Sequence, residues 1–416
     1  MSRNLLLALL VLCLAAPLDA QIFSEQSARA AGVAGAFAAQ VDDPSAVWYN
    51  PGALGLMKKK KGATVGASYT RRNEELFQGL APGIAAGTAA QQTKANTTLA
   101  YGFVAAPLGP HIVSGVGIYT PMRLDSEWAA PDQFAGRFIA TQSQIKALDV
   151  STVFALTGTK FGLGGGAIMR TSSITTSRHL SSVIAGTTYD VATLDMKTDD
   201  TRAYGWTAGL AFRPSPAFSL GLNYRSRIRT DYNGAGNLKQ IPTGDAQIDQ
   251  LVAASFPFGQ KIALQSTLEF PAQATAGVAF ALGQPLLIEI DATQTDWSNN
   301  ASLPFAFPNN TALTAVYPLD LKKTTDLRAG LRFTFPTGPQ VRLGYAILDS
   351  PQPDATVGAF LATAKRNMIT AGFGLDWLDF AVAWTQQNER TVTNNVDTLN
   401  GRYRGNGWAV LMSVTK

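Results

Sequence analysis

The chain has 416 residues, of which 46% are hydrophobic and only 15% charged, with a net charge of +5. That charge content lies well below the roughly 25% of ordinary soluble domains, and the apolar fraction is too high for a disordered chain. One cysteine and two histidines, His111 and His179, exclude a disulfide scaffold and argue against a cysteine or histidine metal centre; no basic arm for nucleic acid is present.

Residues 1–20 have the form of a secretory signal peptide. Arg3 supplies the positive start, Leu5 to Ala16 is an unbroken apolar run, and Pro17 precedes a cleavage point after Ala20. The run is too short to cross a bilayer as a helix. Cys13 lies inside it, so the mature chain is expected to lack cysteine. No apolar stretch of membrane-spanning length follows. An exported chain without a helical span is either secreted and soluble or an outer-membrane barrel.

Residues 21–61 show no strand period. They are rich in Ala and Gly and carry Asp42, Asp43 and the run Asn50-Pro51-Gly52. Small residues suit close packing, and a wide barrel has a lumen that its own wall side chains cannot fill. The segment is therefore expected to fold into a plug, with Asn50-Pro51-Gly52 as a tight turn in which Pro presets φ and Gly tolerates left-handed geometry. Lys58-Lys59-Lys60-Lys61 links it to the first strand as a solvated or headgroup-contacting tether.

From residue 62 to the end the pattern alternates with period two. Over 326–335, Leu327, Ala329, Leu331, Phe333 and Phe335 oppose Asp326, Arg328, Gly330, Arg332 and Thr334. Over 286–293, Leu286, Ile288 and Ile290 oppose Glu289, Asp291 and Thr293. One apolar and one charged face per strand fits lipid outside and water inside. Fourteen strands are expected, centred near 66, 100, 115, 148, 167, 207, 223, 272, 291, 329, 343, 370, 383 and 409. Tight breaks near 107–110, 158–160, 213–216, 283–285, 336–339 and 377–379 alternate with long ones near 71–94, 120–135, 178–199, 231–261, 298–321, 348–364 and 389–401. That alternation is the pattern of periplasmic turns and external loops. The fold expected is all-β: a fourteen-stranded antiparallel transmembrane β-barrel over 62–416 with an N-terminal hatch, 21–61, in its lumen.

Three stretches resemble the FadL/TodX family of outer-membrane transporters for hydrophobic compounds. They are Ser27 to Leu54 (SARAAGVAGAFAAQVDDPSAVWYNPGAL), Phe270 to Trp297 (FPAQATAGVAFALGQPLLIEIDATQTDW), and Asp326 to Gly374, which contains DLRAGLRF, VRLGYAILDSPQPD and KRNMITAGFG. The resemblance implies a fourteen-stranded barrel with a hatch, ligand capture by external loops, a lumenal pocket, and sideways exit through a gap in the wall. It departs from the family where Gly52 replaces Ala after Asn-Pro, where 361–365 replaces a Leu-Pro-Asp element, and at the Thr415-Lys416 end, which lacks an aromatic residue.

Other motifs carry less. Gly162 to Gly166 nominally matches a dinucleotide fingerprint but lacks the βαβ context; close backbone approach is the better account. Glu289 and Asp291 share a face, which leaves a hydrolase conceivable, with a charged wall as the plainer reading. Phe77 and Leu80 in 71–94, Leu251, Val252 and Phe256 at helical spacing in 231–261, and Leu303, Phe305 and Phe307 in 298–321 make the external loops apolar. Such patches mark ligand capture, or a lid whose loops pack on each other. Arg328, Arg332 and Arg342 on the inner face are candidate anchors for a ligand carboxylate, with hatch acids such as Asp42 or Asp43 as competing partners.

The expected function is passive outer-membrane uptake of hydrophobic small molecules in a Gram-negative-type bacterium, fatty acids first and aromatic hydrocarbons second. The expected partners are that ligand and outer-membrane lipid. The protein is expected to be a monomer without cofactor, metal, nucleic acid or enzymatic activity. The alternatives are a surface shuttle or assembly factor for secreted proteins, and a general porin.

Overall fold

The computed structural model describes residues 25–93, 95–283 and 285–416; the expected signal peptide falls outside the described residues. Fourteen strands form the wall: β1 (Gly62–Gly79), β2 (Ala95–Pro107), β3 (Ile112–Glu127), β4 (Gln142–Leu156), β5 (Phe161–Ile184), β6 (Thr201–Ser215), β7 (Phe218–Arg225), β8 (Ala272–Ala281), β9 (Leu286–Asp296), β10 (Thr324–Thr334), β11 (Gln340–Leu348), β12 (Arg366–Gly374), β13 (Leu378–Gln387) and β14 (Gly401–Thr415). Each pairs antiparallel with the next. β1 then pairs with β14 from Thr64↔Thr415 to Gly79↔Gly401 and closes the ring. All fourteen expected centres fall inside these strands.

The alternation explains the wall. On β10, Leu327, Leu331 and Phe333 stay exposed to the outside, while Arg328 and Arg332 turn inward. Phe161, Phe212, Phe280, Phe335 and Trp377 stand out near the short-turn end, and Tyr204, Trp206, Tyr345 and Trp384 stand out higher up. This is the double aromatic girdle of a membrane barrel. The inner faces depart from the simple lipid-outside, water-inside picture. Thr64, Ser68, Ser151, Thr207, Ser219 and Thr370 face inward and are nevertheless buried, because protein fills the lumen at their level.

Several expected loops begin as strand. β5 has 24 residues, far more than the 9–11 of a tilted spanning strand. Its outer half pairs with Thr187–Thr198, and a side sheet continues through Ile228–Gln240, Lys261–Phe270, Ser302–Ala306 and Ala315–Pro318. Outside the bilayer the apolar face stops while the hydrogen-bond ladder goes on. Thr171-Ser172-Ser173 and Thr175-Thr176-Ser177 are polar on both faces and carry no alternation signal although they are paired. Phe77, expected in a loop, is in β1 for the same reason.

Candidate functional site

Residues 25–57 lie inside the barrel as two one-turn helices, α1 (Ala28–Ala31) and α2 (Ala46–Tyr49), and a 3-10 helix, Pro51–Leu56. The hatch is pinned to the wall on several sides by directional bonds. Thr370 on β12 accepts from the Ala34 N–H at 3.0 Å and donates to the Gly32 carbonyl at 3.2 Å. Asp291 on β9 accepts from the N–H groups of Phe37 and Ala38 at 2.9 and 3.0 Å, and Glu289 accepts from that of Ala39 at 2.7 Å. The acidic pair thus clasps the hatch backbone rather than facing water. Arg213 on β6 donates to the carbonyls of Ala39 and Val41.

Asn50 is fully buried. Its amide donates to the carbonyls of Ala38 and, on the wall, Leu210, and its Oδ1 accepts from the Gly52 N–H at 3.1 Å. The turn forms, but for a different reason than expected: Gly52 has no positive φ. A Cβ there would stand 2.6 Å from the Gly209 carbonyl oxygen and 2.8 Å from that of Gly162, and one on Gly164 would stand 2.6 Å from the Pro51 carbonyl oxygen. Glycine is required at both surfaces for backbone to lie on backbone, and this accounts for Gly162 and Gly164, while Gly165 and Gly166 lie against the neighbouring wall strands at Thr207 and Thr152.

The three arginines considered as ligand anchors are committed elsewhere. Arg328 bonds Glu25 at 2.6 Å and the Ala34 carbonyl at 2.9 Å. Arg332 lies 3.5 Å from Asp42. Arg342 bonds Asp379 of β13 at 2.7 Å with both side chains buried, and Arg29 of the hatch adds a second bond to Asp379 at 3.0 Å. Asp42 also bonds Arg29 at 2.8 Å, and Asp43 stands 3.6 Å from Arg29 while accepting from the Ser45 N–H. The packed hatch puts carboxylates and carbonyls directly against these guanidinium groups. Lys58, Lys59 and Lys61 are exposed at the short-turn end.

The wall has a window. β2 and β3 pair only from Gly102↔Ile118 to Pro107↔Val113. Above that, 95–101 has no partner on β3, and the two segments meet again only at the Gln92↔Trp128 bridge and the Thr93 N–H bond to the Glu127 carbonyl. The cause lies in β3. Between Tyr119 and Met122 it gains one residue relative to β4, a bulge centred on Thr120-Pro121, and Pro121 has no N–H to give a ladder. Beyond the bulge the alternation collapses: Met122, Leu124, Asp125 and Ser126 are all buried, so the strand leans into the lumen. The sequence pattern puts 120–135 in a loop, so the expected gap in the wall had no position, whereas the strand runs on to Glu127. A proline inside an apolar-alternating run was the available signal.

Hatch and window touch. Tyr119, at the bulge, packs on Trp48 of α2 with ring centroids 4.9 Å apart. Arg225 of β7 lies over the Trp48 ring at 3.6 Å, donates to the Trp48 carbonyl at 2.8 Å and to the Tyr119 hydroxyl at 3.1 Å.

Above the window the interior is apolar. Phe77 contacts Trp128, Phe134 and Tyr403, and Trp128 stacks on Phe134 at 3.9 Å. Leu303, Phe305 and Phe307 are fully buried in the same core and so do not form an exposed patch. A ten-residue helix, α3 (Ala246–Ser255), rests on the lid with Asp245 capping its first turn. Of the expected capture residues, Val252 is buried, Phe256 and Leu80 are half-buried, and Leu251 is 59% exposed. Of these five, Leu251 alone is exposed, and Val252 and Phe77 are packed into the interior.

The profile of the family described as "Outer membrane protein transport protein (OMPP1/FadL/TodX)" matches residues 9–416. A FadL homologue of Pseudomonas aeruginosa superposes with a TM-score of 0.82 at 21% identity, over 95% of this chain and 99% of that one. The toluene transporter TodX of Pseudomonas putida gives 0.68 at 14% identity, over 95% and 98%. The toluene transporter TbuX of Ralstonia pickettii gives 0.65 at 14%, over 92% and 97%. At these identities the superpositions speak to the fold. No curated protein sequence matches the chain.

Proposed function

The chain belongs to the OMPP1/FadL/TodX family of outer-membrane transport proteins, and from that premise we propose that it carries long-chain fatty acids inward by diffusion through a lateral route. A ligand is captured at the exposed apolar side of the lid around Leu251. It passes into the aromatic vestibule of Phe77, Trp128, Phe134 and Tyr403, and leaves sideways through the window between β2 and β3. The observation that carries this reading is the window itself: a wall that is paired below and bridged above, opened by a single extra residue beside a proline. A hydrophobic solute gains by going from protein interior to lipid without crossing water. A general porin is disfavoured because the hatch packs the lumen beneath the window with buried Ala30, Ala34, Ala38 and Ala39.

Deleting Pro121 tests the route. The deletion removes the extra residue and lets β3 run straight against β2. Oleate uptake by cells carrying the variant should fall to the level of cells lacking the protein, while the barrel stays folded by heat-modifiable gel mobility. Unchanged uptake with a folded barrel would overturn the lateral route.

A further inference from the structure

The four lysines between hatch and wall take no part in the route described above, and their place follows from what lies on either side of them. The Gly55 carbonyl, in the 3-10 helix of the hatch, accepts from the Gly158 N–H of the β4–β5 turn at 3.4 Å, and Gly62 opens β1. Residues 57–61 therefore run from the foot of β4 and β5 to the foot of β1, past the feet of β2 and β3, the pair that flanks the window. The β2–β3 turn is tied to the β4–β5 turn: Thr157 donates its N–H to the His111 carbonyl at 2.8 Å and its hydroxyl to the Pro110 carbonyl at 3.0 Å. Lys160 ends the second turn. Lys58, Lys59, Lys61 and Lys160 are exposed, and neither their side chains nor that of Lys60 has a hydrogen bond or ion pair among the described residues.

Charge and apolar surface are sorted around these lysines. Residues 44–73, 76–124 and 150–189 contain no Asp or Glu. The acids of the short-turn end lie elsewhere: Asp42 is paired with Arg29 and Arg332, Asp43 and Asp379 are buried, and Asp376 is on the β12–β13 turn, across β14 from the lysines. On the lipid-facing side of the same strands, Ile112 pairs with Leu156 and Leu156 with Leu163, and all three are exposed together with Phe161 of the girdle. The wall offers an apolar strip that ends in an aromatic ring, then a block of positive charge with no acid to answer it. A tether needs only solubility, and adjacent like charges repel. A basic block just beyond an apolar membrane band suits an anionic bilayer surface, which it binds about fivefold more tightly for each lysine near the surface.

We propose that residues 58–61 and Lys160 form a binding site for the phosphate headgroup of an anionic glycerophospholipid of the phosphatidylglycerol class, with its acyl chains along Ile112, Leu156 and Leu163. The short turns are on the periplasmic side, so the lipid belongs to the leaflet at that level. Lysine is a point charge on a flexible stem, which suits a phosphate that arrives at no fixed angle. The bound lipid covers the outside of the wall beneath the window and occupies no part of the lumen. The site is therefore independent of the compound transported, and its failure would leave the transport reading untouched.

The test uses the full-length barrel purified in detergent. Dioleoyl phosphatidylglycerol and dioleoyl phosphatidylcholine, which share their chains and differ in headgroup charge, are added in equal amounts, and bound lipid is counted by native mass spectrometry. Gel heat-modifiability shows that each variant is folded. Wild type should retain phosphatidylglycerol about tenfold or more over phosphatidylcholine, and Lys58→Gln, Lys59→Gln, Lys60→Gln and Lys61→Gln together should bring that preference below about twofold. Lys160→Gln alone should fall between. Lys239→Gln with Lys261→Gln, which removes two charges at the external end, should leave the preference unchanged. A folded quadruple variant with the wild-type preference overturns the site, and so does an equal loss in the external control, since net charge alone then decides. Wild type without a preference overturns it too, and is the result expected of lysines that meet an acidic protein instead. Displacement of phosphatidylglycerol by an equal concentration of glycerol phosphate would make this a site for a free anion and overturn the lipid.

Discussion

The half of the molecule around the hatch and the half beneath the lid are held by different physics. At the hatch, seats are fixed by ion pairs and by bonds from wall side chains to hatch backbone: Asp379 with Arg29 and Arg342, Asp291 and Glu289 with three N–H groups, Thr370 with two backbone groups. Under the lid the contacts are aromatic and aliphatic, with Phe305, Phe307, Phe270 and Leu194 fully buried. Directional bonds specify one position and fail when shifted; apolar packing tolerates displacement. A plug that must seal needs the first kind. A vestibule on the route of hydrophobic compounds needs the second.

The comparison breaks most completely if residues 21–55 are removed. The wall would stay closed through the β1–β14 seam, but its lumen would open. Planar-bilayer recordings should then show discrete, large conductance steps absent from the wild type. Unchanged conductance would mean that the segment is not the seal.

Next in size is Asp379→Ala. It leaves Arg342, buried in the wall, and Arg29 of the hatch without their shared carboxylate, and breaking a buried pair costs about 3–5 kcal/mol. The urea midpoint of barrel refolded in micelles should drop, and polar solute leakage should rise. Asp291→Asn is milder: the amide oxygen still accepts from the hatch, and the loss should be about 1–2 kcal/mol.

The two lid residues sharpen the contrast. Val252→Asp places a carboxylate at a site only 3% exposed and should destabilise the lid by about 2–3 kcal/mol, read as faster proteolysis within 231–261. Leu251→Asp should leave proteolysis unchanged, because that side chain is exposed, and should reduce uptake of long acyl chains several-fold with little effect on short ones. Equal behaviour of the two variants would mean that α3 does not hold its position on the lid.

Much of the wall was legible because lipid imposes a period on it. Leu327, Leu331 and Phe333 must face outward, and that fixes β10 from ten residues of sequence. Where lipid ends, the period ends, so 178–199 read as loop although Arg178–Ile184 pair with Thr187–Leu194. The hatch was visible only as a lack of period. Its partners were not, since Asp291 with Phe37, or Arg342 with Asp379, joins positions far apart in the chain that no local rule connects. Arg328, Arg332 and Arg342 meet Glu25, Asp42 and Asp379, and no local rule in the sequence names those partners, two of which belong to a plug whose seat it does not give.

The hatch is joined at one point to the last strand of the chain. The Ala28 N–H is bonded to the Ser413 hydroxyl at 2.9 Å, and Tyr101 reaches the same oxygen. Ser413 is near the end of β14, where the Lys416 carbonyl and N–H also exchange bonds with Ala63. The segment synthesised first therefore has a docking point that does not exist until the segment synthesised last has arrived. Plugging cannot be finished before the circle is joined. A chain that ends before Ser413 would lose this docking point while keeping most of the seam, which runs on to Gly79↔Gly401.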